Sequence, residues 1–341
     1  MDYIKTDFKM SLSYFILNGF QLNPDYYECN TTLRPVGLRR EFWGSYFFWT
    51  GILIFVLYLI CFIAIATHDL MKTPAYKIMF VLGVYDLSSV FMDSIVTGIL
   101  GFFGVAFCDC PRFIFVMGAI GYGSWMGCCI TSLILAVIRI CDVRPKLKIR
   151  KLYVGRRIYF FVGLCWVYGI CAALFTKPIT FSSFYMSWFF DPGLGKDPKL
   201  YRNIYHFFNN CSMAIGTVSL YGYLAYIFLN KTGDFNATQL SRYQTRVLFQ
   251  AFMFCIFHLI SSIMYTYMQY VSAPEFFILI GQIAWQFGSG SVCMVYLTLN
   301  RSIRKAVFQK IYPQILVKVG QAPVQGSSDS RAMELSAVQV G

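Results

Sequence analysis

Charge is what this sequence has least of. Only 13% of its residues are Asp, Glu, Lys or Arg, where soluble domains carry roughly 25%. With 57% of the residues hydrophobic and 19% aromatic, a water-soluble fold would lack the polar surface to cover itself, and a disordered chain would not be this apolar. Histidine is equally sparse: His68, His206 and His258 stand far apart, without metal-ligand spacing. No Gly-rich phosphate loop, nucleophile elbow or zinc-protease motif occurs, so neither catalysis nor a cofactor is expected. A signal peptide is not expected either. Met1–Glu41 carries Asp2, Lys5, Asp7 and Lys9, and its one short apolar run, Tyr14–Phe20, is followed by no small-residue cleavage pattern.

What the sequence does have is long apolar runs. A bilayer core of about 30 Å needs roughly 20 apolar helical residues, because every backbone N–H and C=O in hydrocarbon must be satisfied within its own segment. Seven windows qualify: Tyr46–Ala66, Ile78–Phe103, Phe113–Ile138, Ile158–Phe175, Ile204–Leu229, Val247–Tyr270 and Phe276–Leu299. The first is free of charge throughout, and the fifth is the weakest because His206, Asn209 and Asn210 crowd its start. The reading is an all-α membrane protein with an amino-terminal segment (1–45), a seven-helix bundle (46–299), an amphipathic eighth helix (300–312) and a disordered tail (313–341).

The formal charge of +13 on so apolar a chain resembles a nucleic-acid footprint until its placement is considered. With the amino terminus outside, the inner loops hold thirteen basic residues, eight of them in Arg139–Arg157, and the outer loops five. Basic residues in short loops stay inside, so the amino terminus is expected outside and the carboxyl terminus inside. The inner side then carries +14, the outer side +1, and Asp86 and Asp93 supply −2 within the membrane. The charge marks orientation and contact with anionic lipid rather than nucleic acid. Asn30, in Asn-Thr-Thr ahead of the first helix, is the expected glycosylation acceptor; Asn230, Asn236 and Asn300 match the same short pattern on the inner side.

Several motifs carry a resemblance. Met71-Lys-Thr-Pro-Ala-Tyr-Lys-Ile-Met-Phe-Val-Leu-Gly-Val-Tyr-Asp86 resembles the rhodopsin-like passage from a Thr-Pro turn into helix two and its buried aspartate. Arg139 with Pro145 resembles the end of helix three and the loop after it, and Tyr296-Leu-Thr-Leu-Asn300 before Ile303-Arg-Lys-Ala-Val-Phe308 resembles helix seven entering helix eight. More narrowly, Tyr26-Tyr-Glu-Cys29, Tyr76–Asp86 and Ala136-Val-Ile-Arg-Ile-Cys-Asp142 resemble the nematode serpentine chemoreceptors of class T. That resemblance implies a seven-transmembrane G-protein-coupled receptor in the plasma membrane of a sensory cilium, with a small-molecule odorant or pheromone and a heterotrimeric G protein as partners. Other readings of a multi-helix chain are a ligand-gated seven-helix channel of inverted topology and a small transporter; the latter should show repeated halves and paired broken helices, and neither is evident.

The departures are specific. Ile138 stands where an acid would precede the helix-three arginine, helix six (Phe254-Cys-Ile-Phe-His258) has no Trp-x-Pro kink, and Val292-Cys293 replaces Asn-Pro. The second outer loop, Lys177–Arg202, has no cysteine, so the usual disulfide from helix three to it cannot form. Among twelve cysteines, Cys29, Cys108 and Cys110 face the oxidising side, and Cys29 is expected to pair with Cys108 or Cys110. Asp86 and Asp93 lie one heptad apart, on nearly one face of helix two. A bare carboxylate there costs about 2.5–3.5 kcal/mol, which marks intramembrane acids as functional candidates. By resemblance Asp86 is the activation switch, with Ser289 its expected helix-seven partner, Arg139 the G-protein contact and Tyr296 the helix-seven tyrosine. For the ligand, Tyr122 and Trp125 lie about 21–26 Å outward from Arg139 along helix three, level with Gln282, Trp285 and Gln286 of helix seven; these five are the pocket candidates.

Overall fold

The computed structural model describes residues 2–29, 35–67, 69–144, 146–229 and 256–311. Asn30, Pro145, the basic connection Lys231–Arg246, the start of the sixth window and the tail from Pro313 lie outside these residues. The chain forms a helix bundle: α1 (Glu41–Thr67), α2 (Pro74–Phe103), α3 (Pro111–Val143), α4 (Ile158–Phe175), α5 (Ile204–Leu229), α6 (described over Ile256–Met268), α7 (Glu275–Thr298) and the short α8 (Arg301–Ile311). Helices α1, α2 and α3 reach past their apolar windows at polar ends, because hydropathy stops where caps begin, whereas α4 and α5 coincide with theirs. Pro74 and Pro111 occupy first-turn positions, where a missing N–H costs nothing.

By length and composition α1, α2, α3, α4 and α7 can each cross a membrane. The described part of α6 is a shorter apolar helix, and α5, although 26 residues long, carries the polar start that made its window weakest. Burial ranks the helices. In α3, 78% of the most apolar stretch is buried inside the protein, against 22% in α4, so α3 is the central post and α4 stands at the rim with Phe160, Val167 and Ile170 facing outward. The central position of α3 depends on missing side chains. A Cβ at Gly127 would sit 2.3 Å from the Tyr85 ring, and one at Gly118 would overlap the Ile179 carbonyl.

Two features depart from plain helices. In α2 the segment Phe91–Val96 is a π-turn, with the Thr97 hydroxyl donating to the Met92 carbonyl at 3.1 Å. The connection after α4 forms a hairpin, β1 (Thr180–Ser182) and β2 (Ser187–Phe189), with Phe181 opposite Trp188. The Trp188 indole is fully buried and donates to the Thr97 hydroxyl at 2.8 Å, which pins the hairpin to the π-turn.

The amino-terminal segment folds onto the same end of the bundle. Short helices at Asp2–Lys9, Leu12–Leu17 and Pro24–Tyr27 set Phe15 and Tyr27 against Phe115 of α3, with ring centroids 5.4 and 5.1 Å apart. Asp7 and Lys177 form an ion pair at 2.8 Å, with 4% and 2% of their side chains exposed. The Lys177 ammonium also donates to the Leu200 and Arg202 carbonyls. Burial pushes the Asp7 carboxyl above its ordinary range, and the neighbouring ammonium opposes that shift. Cys29 is disulfide-bonded to Cys108, with the Cα atoms 5.7 Å apart, while Cys110 is a free thiol that burial and Asp109 keep protonated.

At the opposite, basic end, Asn300 accepts from the Ser302 and Ile303 N–H groups and so opens α8. The residue that matched a glycosylation pattern is therefore a helix cap. Ile303, Ala306 and Val307 are buried against the bundle as the spacing requires, but Phe308 is 55% exposed. It flanks the apolar stripe on the surface that an interfacial helix offers to lipid.

The bridge closes a long loop, so Cys29→Ser or Cys108→Ser should lower stability by about 2–5 kcal/mol, whereas Cys110→Ser should not. Thermal melts of the reconstituted protein measure this, and a non-reducing peptide map that finds Cys29 joined to Cys110 would contradict the pairing.

Candidate functional site

At the amino-terminal end α3, α5, α6, α7 and the hairpin enclose a cavity of about 710 Å³. Tyr122 and Trp125 come from α3, His206 from α5, Tyr265 from α6, Trp285 from α7 and Phe190 from beyond β2. The rings pack edge to face: Tyr122 on Phe190 at 5.5 Å, Tyr265 on Trp285 at 5.4 Å and Trp285 on Trp125 at 6.0 Å. Such walls suit an apolar small molecule, and polar groups gather at the mouth, where Asp191, Lys199 and Arg202 lie.

Three of the five pocket candidates, Tyr122, Trp125 and Trp285, line this cavity; Gln282 and Gln286 do not. Both glutamines are fully buried ties between helices. Gln282 accepts from the Tyr265 hydroxyl at 2.6 Å and from Ser187 at 3.1 Å, and donates to the Asp93 carbonyl at 2.8 Å. Gln286 donates to the Thr50 hydroxyl at 2.8 Å. The reason is helical phase: Gln286 is rotated by about 100° from Trp285, which turns it to α1 rather than to the cavity.

The floor of the cavity is Trp125. Its indole N–H donates to Asn210 of α5 at 2.9 Å, and the Asn210 amide in turn donates to the Ser262 carbonyl and the Thr266 hydroxyl of α6, both at 3.2 Å. The Trp125 ring also lies 5.7 Å from the His258 ring of α6 at an interplanar angle of 13°. Helix three thus grips α6 twice around one tryptophan.

Below it lies the buried acid. Asp86 is fully buried and accepts from the Tyr58 hydroxyl at 2.6 Å and from the Cys128 thiol at 3.3 Å; Cys128 is 3.6 Å from His258 Nε2. Ser289, the expected partner, is buried nearby, but its hydroxyl has no hydrogen-bond partner among the described residues. Tyr58 takes that place, and the sequence reading missed it. The available signal was a lone phenol in the middle of an apolar helix, opposite an acid that needs a donor. Tyr296 is buried with its ring 6.3 Å from that of Tyr58. Asp93 is also fully buried, but the π-turn gives it a different neighbour, the Ser94 hydroxyl at 2.5 Å. Among the described residues no three His, Cys, Asp or Glu side chains are placed to hold a metal.

Arg139 is half-buried and reaches the Met79 sulfur of α2 at 3.2 Å. Its acidic neighbour is Asp142, one turn further along α3, rather than a residue immediately before it. The contacts Trp125–His258–Cys128–Asp86–Tyr58–Tyr296 run unbroken from the cavity floor to the last turn of α7.

The family model for the serpentine type 7TM GPCR chemoreceptor Srt matches residues 10–319. Serpentine receptor class T-55 of Caenorhabditis elegans is 21% identical over 285 residues, which cover 82% of this chain and 78% of that protein.

Removing the Tyr58 hydroxyl leaves a buried carboxylate oxygen without its donor. Tyr58→Phe should therefore cost about 1–3 kcal/mol, and much less in an Asp86→Asn background. A double-mutant cycle on thermal stability in nanodiscs reads the coupling, and a coupling of zero would sink the assignment.

Proposed function

The chain belongs to the Srt family of serpentine seven-transmembrane chemoreceptors, and from that premise we propose that it binds a small, largely apolar odorant or pheromone in the aromatic cavity and activates a heterotrimeric G protein at its basic face. The observation that carries the reading is Trp125, which is at once the cavity floor and the partner of α6 through Asn210 and His258. A ligand resting on that ring can favour one arrangement of α6 over another, and it shifts the equilibrium only by as much as its affinity differs between the two.

In this reading the amino terminus is extracellular, the protein lies in the plasma membrane, by family resemblance that of a sensory cilium, and the basic face is cytoplasmic. Arg139 then stands at the mouth of the inner cleft, and Asp86 with Tyr58 and Tyr296 forms the switch between the two faces. The division into residues 1–45, 46–299, 300–312 and 313–341 follows as extracellular segment, bundle, eighth helix and cytoplasmic tail.

In heterologous cells coupled through a promiscuous G protein, an odorant and pheromone panel should yield an agonist. Trp125→Phe keeps a ring over His258 but removes the hydrogen bond to Asn210, worth about 1–3 kcal/mol when the partner is left buried, and should raise agonist-independent signalling about tenfold by loosening the hold on α6. Asp86→Asn should impair activation while surface expression persists. Wild-type signalling from either variant would contradict its role. An epitope tag at Met1 should be reached by antibody on intact cells; if it is not, the inverted-topology channel takes precedence.

A further inference from the structure

On the basic face a second cavity, of about 600 Å³, opens between the start of α2, the last turn of α3 and the start of α4. Its charged wall consists of Lys72, Lys77, Arg150 and Arg156 against one acid, Asp142. That acid is already within electrostatic reach of both Arg139 and Arg150. Two helix N-termini add to the positive field. α2 begins at Pro74 and α4 at Ile158, and neither has a side chain capping it, since the Thr73 hydroxyl donates back to the Leu70 carbonyl. First-turn N–H groups and the helix dipole favour an anion in such a place.

The surroundings indicate which kind of anion. Tyr159, at the start of α4, lines this cavity and is 58% exposed, and Phe160, next to it in the chain, is 71% exposed. Lys77 spans the opening, its ammonium 2.9 Å from the Tyr159 hydroxyl and 4.2 Å from the centre of its ring. Along the connection from α3, exposed Ile149, Leu152 and Val154 alternate with Lys148, Arg150, Lys151 and Arg156. Interleaved apolar and basic side chains suit the boundary between headgroups and acyl chains, not bulk water. A soluble phosphate would leave the apolar rim unused.

We propose that this cavity binds the headgroup of a polyanionic phospholipid, its phosphates held by Lys77, Arg150 and Arg156 and its acyl chains leaving past Tyr159 and Phe160. The site is distinct from the odorant cavity. It shares with the proposed function only the orientation that turns this face to the cytoplasmic leaflet, and binding is measured without any agonist, so the two readings can fail separately.

The test uses the full chain in phosphatidylcholine nanodiscs containing either phosphatidylinositol bisphosphate or a charge-matched amount of phosphatidylserine, with lipid retention read by native mass spectrometry. The bisphosphate lipid should be retained about tenfold more than phosphatidylserine. Neutralising Lys77, Arg150 and Arg156 to Gln should abolish that preference, and the charge-preserving pair Lys77→Arg with Arg150→Lys should keep it. Lys148→Gln with Lys151→Gln, outside the cavity, should also keep it. The inference is overturned if phosphatidylserine is retained equally, if the outer pair loses as much as the cavity variants, or if soluble inositol trisphosphate competes as well as the lipid does. Thermal melts of each variant separate lost binding from lost folding.

Discussion

In hydrocarbon there is no water to complete a hydrogen bond, and that single constraint arranges most of this molecule. It forces the apolar runs into helices, drives irregular backbone to the two ends, and penalises a polar side chain in the middle that lacks a partner within the protein. Asp86 shows the requirement at its most severe. A carboxylate at that depth is tolerable only against donors, and it has two, the Tyr58 hydroxyl and the Cys128 thiol. Those two donors join α1 and α3 to α2, so a buried acid is also the point where three helices meet. Gln282 and Gln286 obey the same rule on α7, each spending its amide on another helix.

The same constraint explains what could be read from the sequence. Helix existence was legible because apolar length in a membrane leaves few other structures, and α4 and α5 occupy the span of their windows to the residue. The burial of Asp86 followed from its cost. What could not be read was phase and partnership. The π-turn at Phe91–Val96 has no proline or glycine at its centre to announce it, and within it Asp93 accepts from the hydroxyl of the adjacent Ser94. The hairpin Thr180–Phe189 carries no apolar length at all; it is held by Trp188 reaching Thr97, a contact between residues 91 positions apart. Tyr58 was invisible because a phenol in an apolar helix has no meaning until the acid opposite it is known.

The two ends of the bundle are closed by different physics. At the amino-terminal end the cover is covalent and packed: the Cys29–Cys108 bond, aromatic contacts to Phe115, and a buried ion pair whose lysine is also held by two carbonyls. A buried pair of this kind adds little net stability over an apolar contact, but it does fix one docked position, since either charge alone would be stranded. At the basic end no described segment covers the surface in this way. Cations stand exposed around a cavity, where their worth depends on what anion the surroundings supply. A firm cover over the aromatic cavity and an open charged face opposite are what a device needs if it is to admit small apolar molecules at one end and respond to its surroundings at the other.

Helix six poses the remaining mechanical question. Its described portion contains no proline to bend at, whereas α7, with Val292-Cys293 where a hinge-forming pair would stand, still carries the Gly288-Ser289-Gly290-Ser291 run. Movement of the described part of α6 then comes from releasing its contacts as a nearly rigid body. Among the described residues, the contacts that hold it to α3 and α5 at this depth include the amide of Asn210, on α5, to the Ser262 carbonyl and Thr266 hydroxyl, and the Trp125 ring and Cys128 thiol of α3 against His258. A hydrogen bond nets about 1 kcal/mol and an aromatic pair about 0.5–1.5 kcal/mol. Two such bonds and the ring pair come to about 2.5–3.5 kcal/mol, at the upper end of the 1–3 kcal/mol that couples one site to another in typical allosteric proteins. A ligand that repositions one indole therefore has enough leverage to free α6. In the proposed mechanism the tryptophan that would serve this purpose sits on helix three, where its ring lines the cavity and its N–H bonds Asn210.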